Sequence, residues 1–371
     1  MQLKNAPSPT PLCGSAQAAK DELLRMTQEV VGNLHMHTPY SDGTWYHAEL
    51  ARAASQAGLD FIVVTDHNLW VQGPQGYHHE VLVLVGQEVH NTQRQPQANH
   101  LLVFGAEAEL SQCAGNPQQL IDAARARGGL TFIAHPFDFP LKFMREPGIP
   151  WVDWNIEGYV GLEIWNYMSE FKARMPNRLL AAYYAFYPQR AIRGPFKETL
   201  ELWDELLAEG QRVVGVGNSD AHAFTLSLGP VKRAIFPYEY LFRCVNTHLL
   251  LDEGLTGDVD YDKYLIYSAL EQGHSWVGYD LLGSTKGFTF TARSSSEHAI
   301  VGEELRRAGA VNFDVDVPLP ATLQIVRAGK GVVAKAKGTK LKFTSVEAGA
   351  YRVEAYRKGK GWLFSNPIYV L

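Results

Sequence analysis

The sequence predicts an α/β fold, a barrel of strands and helices, followed by a small antiparallel β-sandwich. Between residues 30 and 217 short apolar runs alternate with helix-like stretches, the pattern of strands buried on both faces and joined by helices. So many repeats imply a closed barrel rather than an open sheet. From about residue 285 the period changes to two: Val311, Phe313, Val315 and Val317 alternate with polar residues, and Gly-rich turns separate the later runs. The expected units are therefore residues 1–284, with an N-terminal extension over 1–28, and an Ig-like β-sandwich over 285–371.

Each element has a local reason. Residues 30–34 form the first strand. Residues 46–57 form a helix closed by Gly58, a natural left-handed terminator. Strands follow over 61–65, 81–85 and 100–104. A helix over 117–127 begins with Pro in its first turn and stops at Gly128-Gly129. Residues 131–134, 160–165 and 213–216 are strands, with a helix over 197–208 between the last two and another over 264–272. The segments 140–158 and 167–194 are too long for tight connections; rich in Trp, Tyr and Phe, they form lids or pocket walls. Beyond residue 285, strands are expected over 323–326, 341–343, 351–356 and 367–371.

Composition limits the function classes. The chain has 371 residues, 46% hydrophobic and 20% charged, enough for a packed core. No apolar stretch reaches the roughly 20 residues of a membrane span, and the first residues lack the apolar core of a secretory signal. Cys13, Cys113 and Cys244 are widely spaced, which excludes a disulfide framework or thiolate zinc site and fits a cytoplasmic location. The net charge of −5 argues against nucleic acid as a partner. It splits into +8 over residues 321–371 and −13 elsewhere; the basic stretch reads as solvent-facing Lys on strands and turns.

The chemistry gathers where the strands end. In a barrel of parallel strands, active groups collect at the strand C-termini. His35 and His37 project from one strand face, with Asp42 beside Gly43 close enough to join them. The run 61–65 ends in Asp66-His67-Asn68, the run from Val81 in Glu88, the run 131–134 in His135-Pro136, and the run from Arg212 in Asp220-Ala221-His222. His100 opens its run; antiparallel pairing of 81–88 with 100–104 would set it beside Glu88. Nine candidates result: His35, His37, Asp42, His67, Glu88, His100, His135, Asp220 and His222. Mixed imidazole and carboxylate ligation suits Zn, Mn or Fe, and nine ligands suit two or three divalent ions.

These segments resemble the PHP (polymerase and histidinol phosphatase) superfamily. The resemblance rests on His35-x-His37 with Ser41-Asp42-Gly43, Thr65-Asp66-His67-Asn68, Gly86-x-Glu88, His100-Leu-Leu, Ala134-His135-Pro136 and Ser219-Asp220-x-His222, in the family's order. It implies a distorted (β/α)7 barrel, with Glu88 bridging two ions and the other eight residues as terminal ligands. The appended sandwich and the region from Asn246-Thr-His to His274 resemble the CehA/McbA, carbaryl-hydrolase-like branch.

The ligand set implies a metal-activated hydroxide attacking an electrophile. Two or three dications against three carboxylates leave a positive field suited to a phosphate dianion. The first reading is a phosphoesterase acting on a small anionic phosphate ester. The alternative is hydrolysis of an ester, amide or carbamate, and the third a non-catalytic metal-bound scaffold. His67, Glu88 and His222 are the expected catalytic groups. Arg193 and Asn166 are expected to bind substrate, with Arg190, Lys197, Lys142 and Arg145 as further cations in the insertions. Asp66 is expected to orient an imidazole and Glu163 to shape the pocket. His78, His79, His90, His248 and His274 read as surface or packing histidines, and Trp151, Trp154 and Trp165 as core or lid residues.

Overall fold

A computed structural model describes residues 27–223, 225–228, 231–234 and 236–371. Cys13 and nearly all of the expected N-terminal extension lie outside the described residues. The first elements are β1 (Gln28–Asn33), α1 (His47–Ala57), β2 (Phe61–Val64), β3 (Gly76–His78), β4 (Val81–Val89) and β5 (Leu101–Phe104). Next come α2 (Pro117–Arg125), β6 (Leu130–Ile133), β7 (Gly161–Asn166), α3 (Tyr167–Ala173), α4 (Arg178–Phe186), α5 (Lys197–Ala208) and β8 (Val214–Asn218). A hairpin of β9 (Thr225–Leu228) and β10 (Val231–Ala234) precedes α6 (Tyr238–Leu241), β11 (Val245–Leu251), α7 (Val259–Gln272) and β12 (Ser275–Tyr279). No helix among the described residues is long and apolar enough to cross a membrane.

The helix ends follow local chemistry. Gly58 closes α1 at φ +81°. Asn116 caps α2 through its side chain, with Pro117 in the first turn. Asp258 caps α7 and starts it five residues earlier than the sequence pattern indicates, because the first turn, Val259 to Asp262, is mostly polar.

The sheet is mixed, and the antiparallel pairing expected of 81–88 with 100–104 is present. β1–β2, β2–β4, β6–β7 and β7–β8 pair in parallel, but β5 runs antiparallel to both β4 and β6. The connection from β4 to β5 is short and helix-free, which only antiparallel neighbours allow. Between β8 and β1 the pairing shrinks to one parallel bridge, Met36 to Ala221, with the Leu34 amide donating to Asn218 Oδ1 at 2.9 Å. That bridge sits on the His35–His37 segment.

One face of these strands gathers Leu34, Phe61, Val63, Leu82, Leu84, Leu102, Phe132 and Val216 into a single buried cluster. The opposite face packs Ile62, Val64, Val83, Ile133 and Ile164 against the helices, including Leu50 and Ala54 of α1 and Trp203 of α5. Each such aliphatic or aromatic side chain contributes about 1.5–3 kcal/mol by leaving water. Glu88 follows Leu82, Leu84 and Gly86 on the first face, so the inward-pointing set turns from apolar to polar at one rim.

The remaining strands are β13 (Thr289–Arg293), β14 (His298–Ile300), β15 (Glu304–Leu305), β16 (Val311–Arg327), β17 (Gly331–Ser345), β18 (Gly349–Arg357), β19 (Lys360–Ser365) and β20 (Ile368–Val370). They are mostly antiparallel and bury Phe290, Phe313, Leu323, Tyr351, Val353 and Trp362 in a second core that also takes in Leu250 of β11 and Trp276 of β12. β16 joins into one strand the runs 311–317 and 323–326, with a register shift between Asp316 and Ala321 where Pro318 and Pro320 interrupt the ladder. β19 pairs with β12, so this unit continues the first sheet instead of standing apart from it. The basic charge is spread along exposed strand faces: Lys340 and Lys342 pair across the ladder with Asp316 and Asp314.

Candidate metal centre

The rim places all nine expected ligands together. His35 and His37 follow β1, His67 follows β2, and Glu88 lies in β4. His100 precedes β5, His135 follows β6, and Asp220 and His222 follow β8. The antiparallel turn of β5 brings its start to the rim where β4 ends: the Glu88–Leu102 register puts His100 Nδ1 2.7 Å from Glu88 Oε1.

Glu88 is the hub. Its Oε1 faces His100 Nδ1 at 2.7 Å and His135 Nε2 at 3.1 Å. Its Oε2 faces His35 Nε2 at 3.0 Å, His67 Nδ1 at 3.2 Å and His37 Nε2 at 3.3 Å. Asp220 Oδ1 completes the second side, 3.3 Å from both His35 Nε2 and His37 Nε2. Asp42 stands on a third side, 3.3 Å from His222 Nε2 and 3.7 Å from His67 Nε2 and His37 Nδ1. Asp42 is half exposed, whereas Glu88 is 1% exposed and His35 and His37 fully buried.

Surrounding bonds fix which nitrogen each ring presents. His35 Nδ1 donates to Glu163 Oε1 (3.0 Å), His135 Nδ1 to the Ile149 carbonyl (3.2 Å) and His222 Nδ1 to the Asp220 carbonyl (2.9 Å). Each bond leaves the Nε2 lone pair pointing at the carboxylates. His135 and Asp220 hold left-handed backbone at φ +27° and +54°, a conformation uncommon outside Gly and concentrated at functional sites. Gly43 makes room beside His37: a Cβ there would lie 2.0 Å from the His37 carbonyl oxygen.

The electrostatics are those of a cluster that holds positive charge. Burial alone lowers the pKa of His35, yet Asp220, Glu88 and Glu163 outweigh it and hold His35 well above the imidazole range. His37 and His135 rise to about 9 in the same way. Burial opposes charge on Glu88 and Asp220, but the facing imidazoles hold both well below the carboxylate range. Burial wins at His67, which falls to about 3. The buried carboxylates that favour positively charged imidazoles here would equally favour bound cations.

The donor set fits divalent ions on a second count. His37 Nδ1 and His100 Nε2 are buried without a hydrogen-bond partner, a condition costly for imidazoles serving only as packing. Ligand atoms within 4.8 Å of one another fall into the groups His35/His37/Glu88/Asp220, Glu88/His100/His135 and His37/Asp42/His67/His222. The described residues thus hold several groups that could each hold an ion. A fourth group, His67/His90/His100, includes His90, which sequence reasoning assigned to surface or packing. The missed signal is its spacing: two residues beyond Glu88, it shares that side chain's strand face.

Other expected residues take different places. Asn166 donates to Glu163 (2.9 Å) and Asp220 (3.2 Å) and accepts from the Ser169 amide at the start of α3 (2.8 Å). Its amide is thereby committed to holding Asp220 and capping a helix rather than to a free ligand. Arg193 is exposed, and its backbone donates to Glu170 and accepts from Gly361. Asp66 touches no imidazole by hydrogen bond; it accepts from the Thr38 amide and hydroxyl and from Ser41 Oγ, pinning the loop that carries Asp42. Glu163 is a positioning residue: it accepts from His35, the His135 amide, Asn166 and Asn218. Trp151 and Trp165 are buried, while Trp154 is partly exposed. His248 and His274 are buried away from the cluster.

No protein-family profile matches the chain, and no curated protein matches it. Among solved structures, it is similar to a two-domain protein containing a predicted PHP-like metal-dependent phosphoesterase from Bacteroides vulgatus, with 14% identity, TM-score 0.43, and 92% of this chain and 96% of the other covered. A putative metal-dependent phosphoesterase from Bifidobacterium adolescentis shows 16% identity and TM-score 0.33 over 52% of this chain and 87% of its own. An amidohydrolase from Chromobacterium violaceum, with bound sulfate and no metal, shows 13% identity and TM-score 0.29 over 56% and 92%. So slight a likeness leaves the chemistry to rest on the residues themselves.

Proposed function

We propose that this protein is a metal-dependent hydrolase of the PHP type, acting on phosphate esters. The observation that carries the reading is Glu88, a buried carboxylate whose two oxygens face separate sets of imidazoles. His35, His37 and Asp220 would share one ion with Glu88 Oε2, His100 and His135 another with Oε1, and Asp42, His67 and His222 a third. Divalent ions held there would acidify a water near neutral pH and neutralise charge on the oxygens of the scissile group. Buried, preorganised ligands do the rest. Glu163 and Asn166 hold His35 and Asp220 in place, and the loop pinned by Asp66 sets Asp42 at the open side, where substrate would enter. The CehA/McbA affinity and a barrel closed at β8–β1 belong to the same reading.

A cluster richer in cations than carboxylates favours a dianionic phosphate over a neutral carbonyl substrate. The test is hydrolysis by Mn- or Zn-loaded protein of p-nitrophenyl phosphate against p-nitrophenyl acetate. Release from the phosphate alone, abolished in His35→Ala, is the expected result. Release from the acetate alone would transfer the reading to ester, amide or carbamate hydrolysis. Unchanged activity in His35→Ala would overturn any metal-dependent mechanism at this site.

A further inference from the structure

His90 lies two residues beyond Glu88 and, by continuation of the β4–β5 register, directly opposite His100. The two rings stack, with centroids 4.2 Å apart and planes 9° from parallel, and His67 meets His90 edge-on at 5.0 Å. Ligand atoms of His67, His90 and His100 lie within 4.8 Å of one another. His90 Nδ1 and His100 Nε2 are buried without a hydrogen-bond partner, and His67 Nδ1 has only Glu88 Oε2, at 3.2 Å. The remaining contact of the His90 ring is long, 3.4 Å from Nε2 to Asn68 Nδ2. Imidazoles grouped this closely, with buried nitrogens left unpartnered, can supply the donor set of a cation once one of the two stacked rings turns its lone pair toward the other's.

We propose that His67, His90 and His100 form an additional, imidazole-only cation position at the rim, in competition with the Glu88-centred groups. The competition follows from the chemistry of the rings. A neutral imidazole has one lone pair to give, and His67 and His100 each belong also to a carboxylate-containing group. A cation taken by His90 therefore withdraws these two rings from the ions beside Glu88 and Asp42. The donor type sets the selectivity: three imidazoles without a carboxylate suit Zn²⁺ or Cu²⁺, whereas Mn²⁺ prefers oxygen. Excess zinc would thus act against a manganese-loaded centre through His90. This competition rests on the proposed function; the cation position itself does not.

The test uses the full chain as wild type, His90→Ala, His90→Asn and His35→Ala, each with its fold checked by circular dichroism. Mn²⁺-loaded protein is dialysed against rising Zn²⁺, and both metals per chain are measured by elemental analysis. Wild type is expected to gain zinc and shed manganese in one step. Both His90 variants should require at least about tenfold more zinc for that step, since even an outer partner of a ligand is worth that much. Copper added in place of zinc should give, in wild type, a nitrogen-coupled electron paramagnetic resonance component beyond those of the Glu88- and Asp42-containing groups, and both His90 variants should lose that component. His35 is outside the His90 group, so His35→Ala should lose manganese yet keep the His90-dependent copper signal. Manganese binding absent from wild type, with that signal present, overturns the Glu88-centred reading alone. Equal zinc uptake and equal copper spectra in wild type and both His90 variants overturn the His90 position.

Discussion

Glu163 Oε1 lies 3.0 Å from Nδ1 of His35, and both side chains are fully buried. The pair decides that His35 turns Nε2 toward Glu88 and Asp220, and the carboxylate makes that nitrogen a stronger donor. Glu163→Gln keeps the shape and hydrogen-bonding length but removes the charge. We expect metal affinity to fall about 10–100-fold with the fold intact, read as metal content against free metal in equilibrium dialysis. Undiminished affinity would reduce Glu163 to packing.

Cation binding should also appear as stability. The native fold gathers the ligands and the unfolded chain does not, so cation at a thousand times its Kd adds about 4 kcal/mol to unfolding. Chelator-treated protein is expected to unfold in less denaturant than protein resupplied with Zn²⁺ or Mn²⁺. Glu88→Ala should lose most of this response, because two of the four groups share that carboxylate. A Glu88→Ala variant stabilised by metal as strongly as wild type would move the centre elsewhere.

Much of this site is legible in the sequence because metal ligation imposes residue types that ordinary packing does not. Apolar runs ending in His, Asp or Glu mark the rim, and the single run that begins with His marks the antiparallel strand β5. His90 reads as a surface or packing histidine because a histidine after a strand has many uses; only the β4–β5 register shows it stacked on His100. Asn166 and Asp66 were read by neighbourhood, whereas their partners are set by how α3 and the 38–42 loop approach the sheet. Helices α3 and α4 fall in a segment whose aromatics obscure any helical period, and α4 buries none of its residues. The basic strands showed their alternation, but their pairing with β12 through β19 is a long-range contact that local pattern does not encode.

Acid–base behaviour away from the metal centre offers an independent check of the fold. His248 on β11 is 1% exposed, with Nδ1 2.9 Å from Glu29 and Nε2 3.0 Å from Asp280, and its ring stacks on Trp276. Burial lowers its pKa, but Asp280 and Glu29 outweigh that and raise it to about 9. A folded-state value above the unfolded one stabilises the fold fully below about pH 6.5, and the gain is lost as pH rises toward 9. The shift corresponds to about 3 kcal/mol at most. Denaturant unfolding of metal-loaded wild type and His248→Gln from pH 6 to 9.5 should show a difference that shrinks with rising pH. A constant difference would mean that His248 is held neutral.

The C-terminal strands should prove inseparable from the rest of the chain. Arg352 of β18 is 1% exposed; it bonds Asp204 of α5 through Nε (2.9 Å) and Nη2 (3.0 Å), and Glu354 through Nη1 (2.6 Å), over the face of Trp203. Asn366 reaches from beyond β19 to the Gly215 amide (2.7 Å) and the Ser275 hydroxyl (2.7 Å). Removing one partner of a buried ion pair leaves the other charge uncompensated, at about 3–5 kcal/mol. Asp204 is 24% exposed, so water screens part of that loss and Asp204→Ala should fall at or below the lower end. Arg352→Leu with Asp204→Ala together should be less damaging than the sum of the two, because the charge left stranded by one is removed by the other. Unfolding of the full chain should be a single transition by both fluorescence and circular dichroism, and a chain ending at residue 284 should fail to fold, with β12 paired on one side only and α5 uncovered. A soluble, cooperatively folded 1–284 fragment would show that the two units are independent.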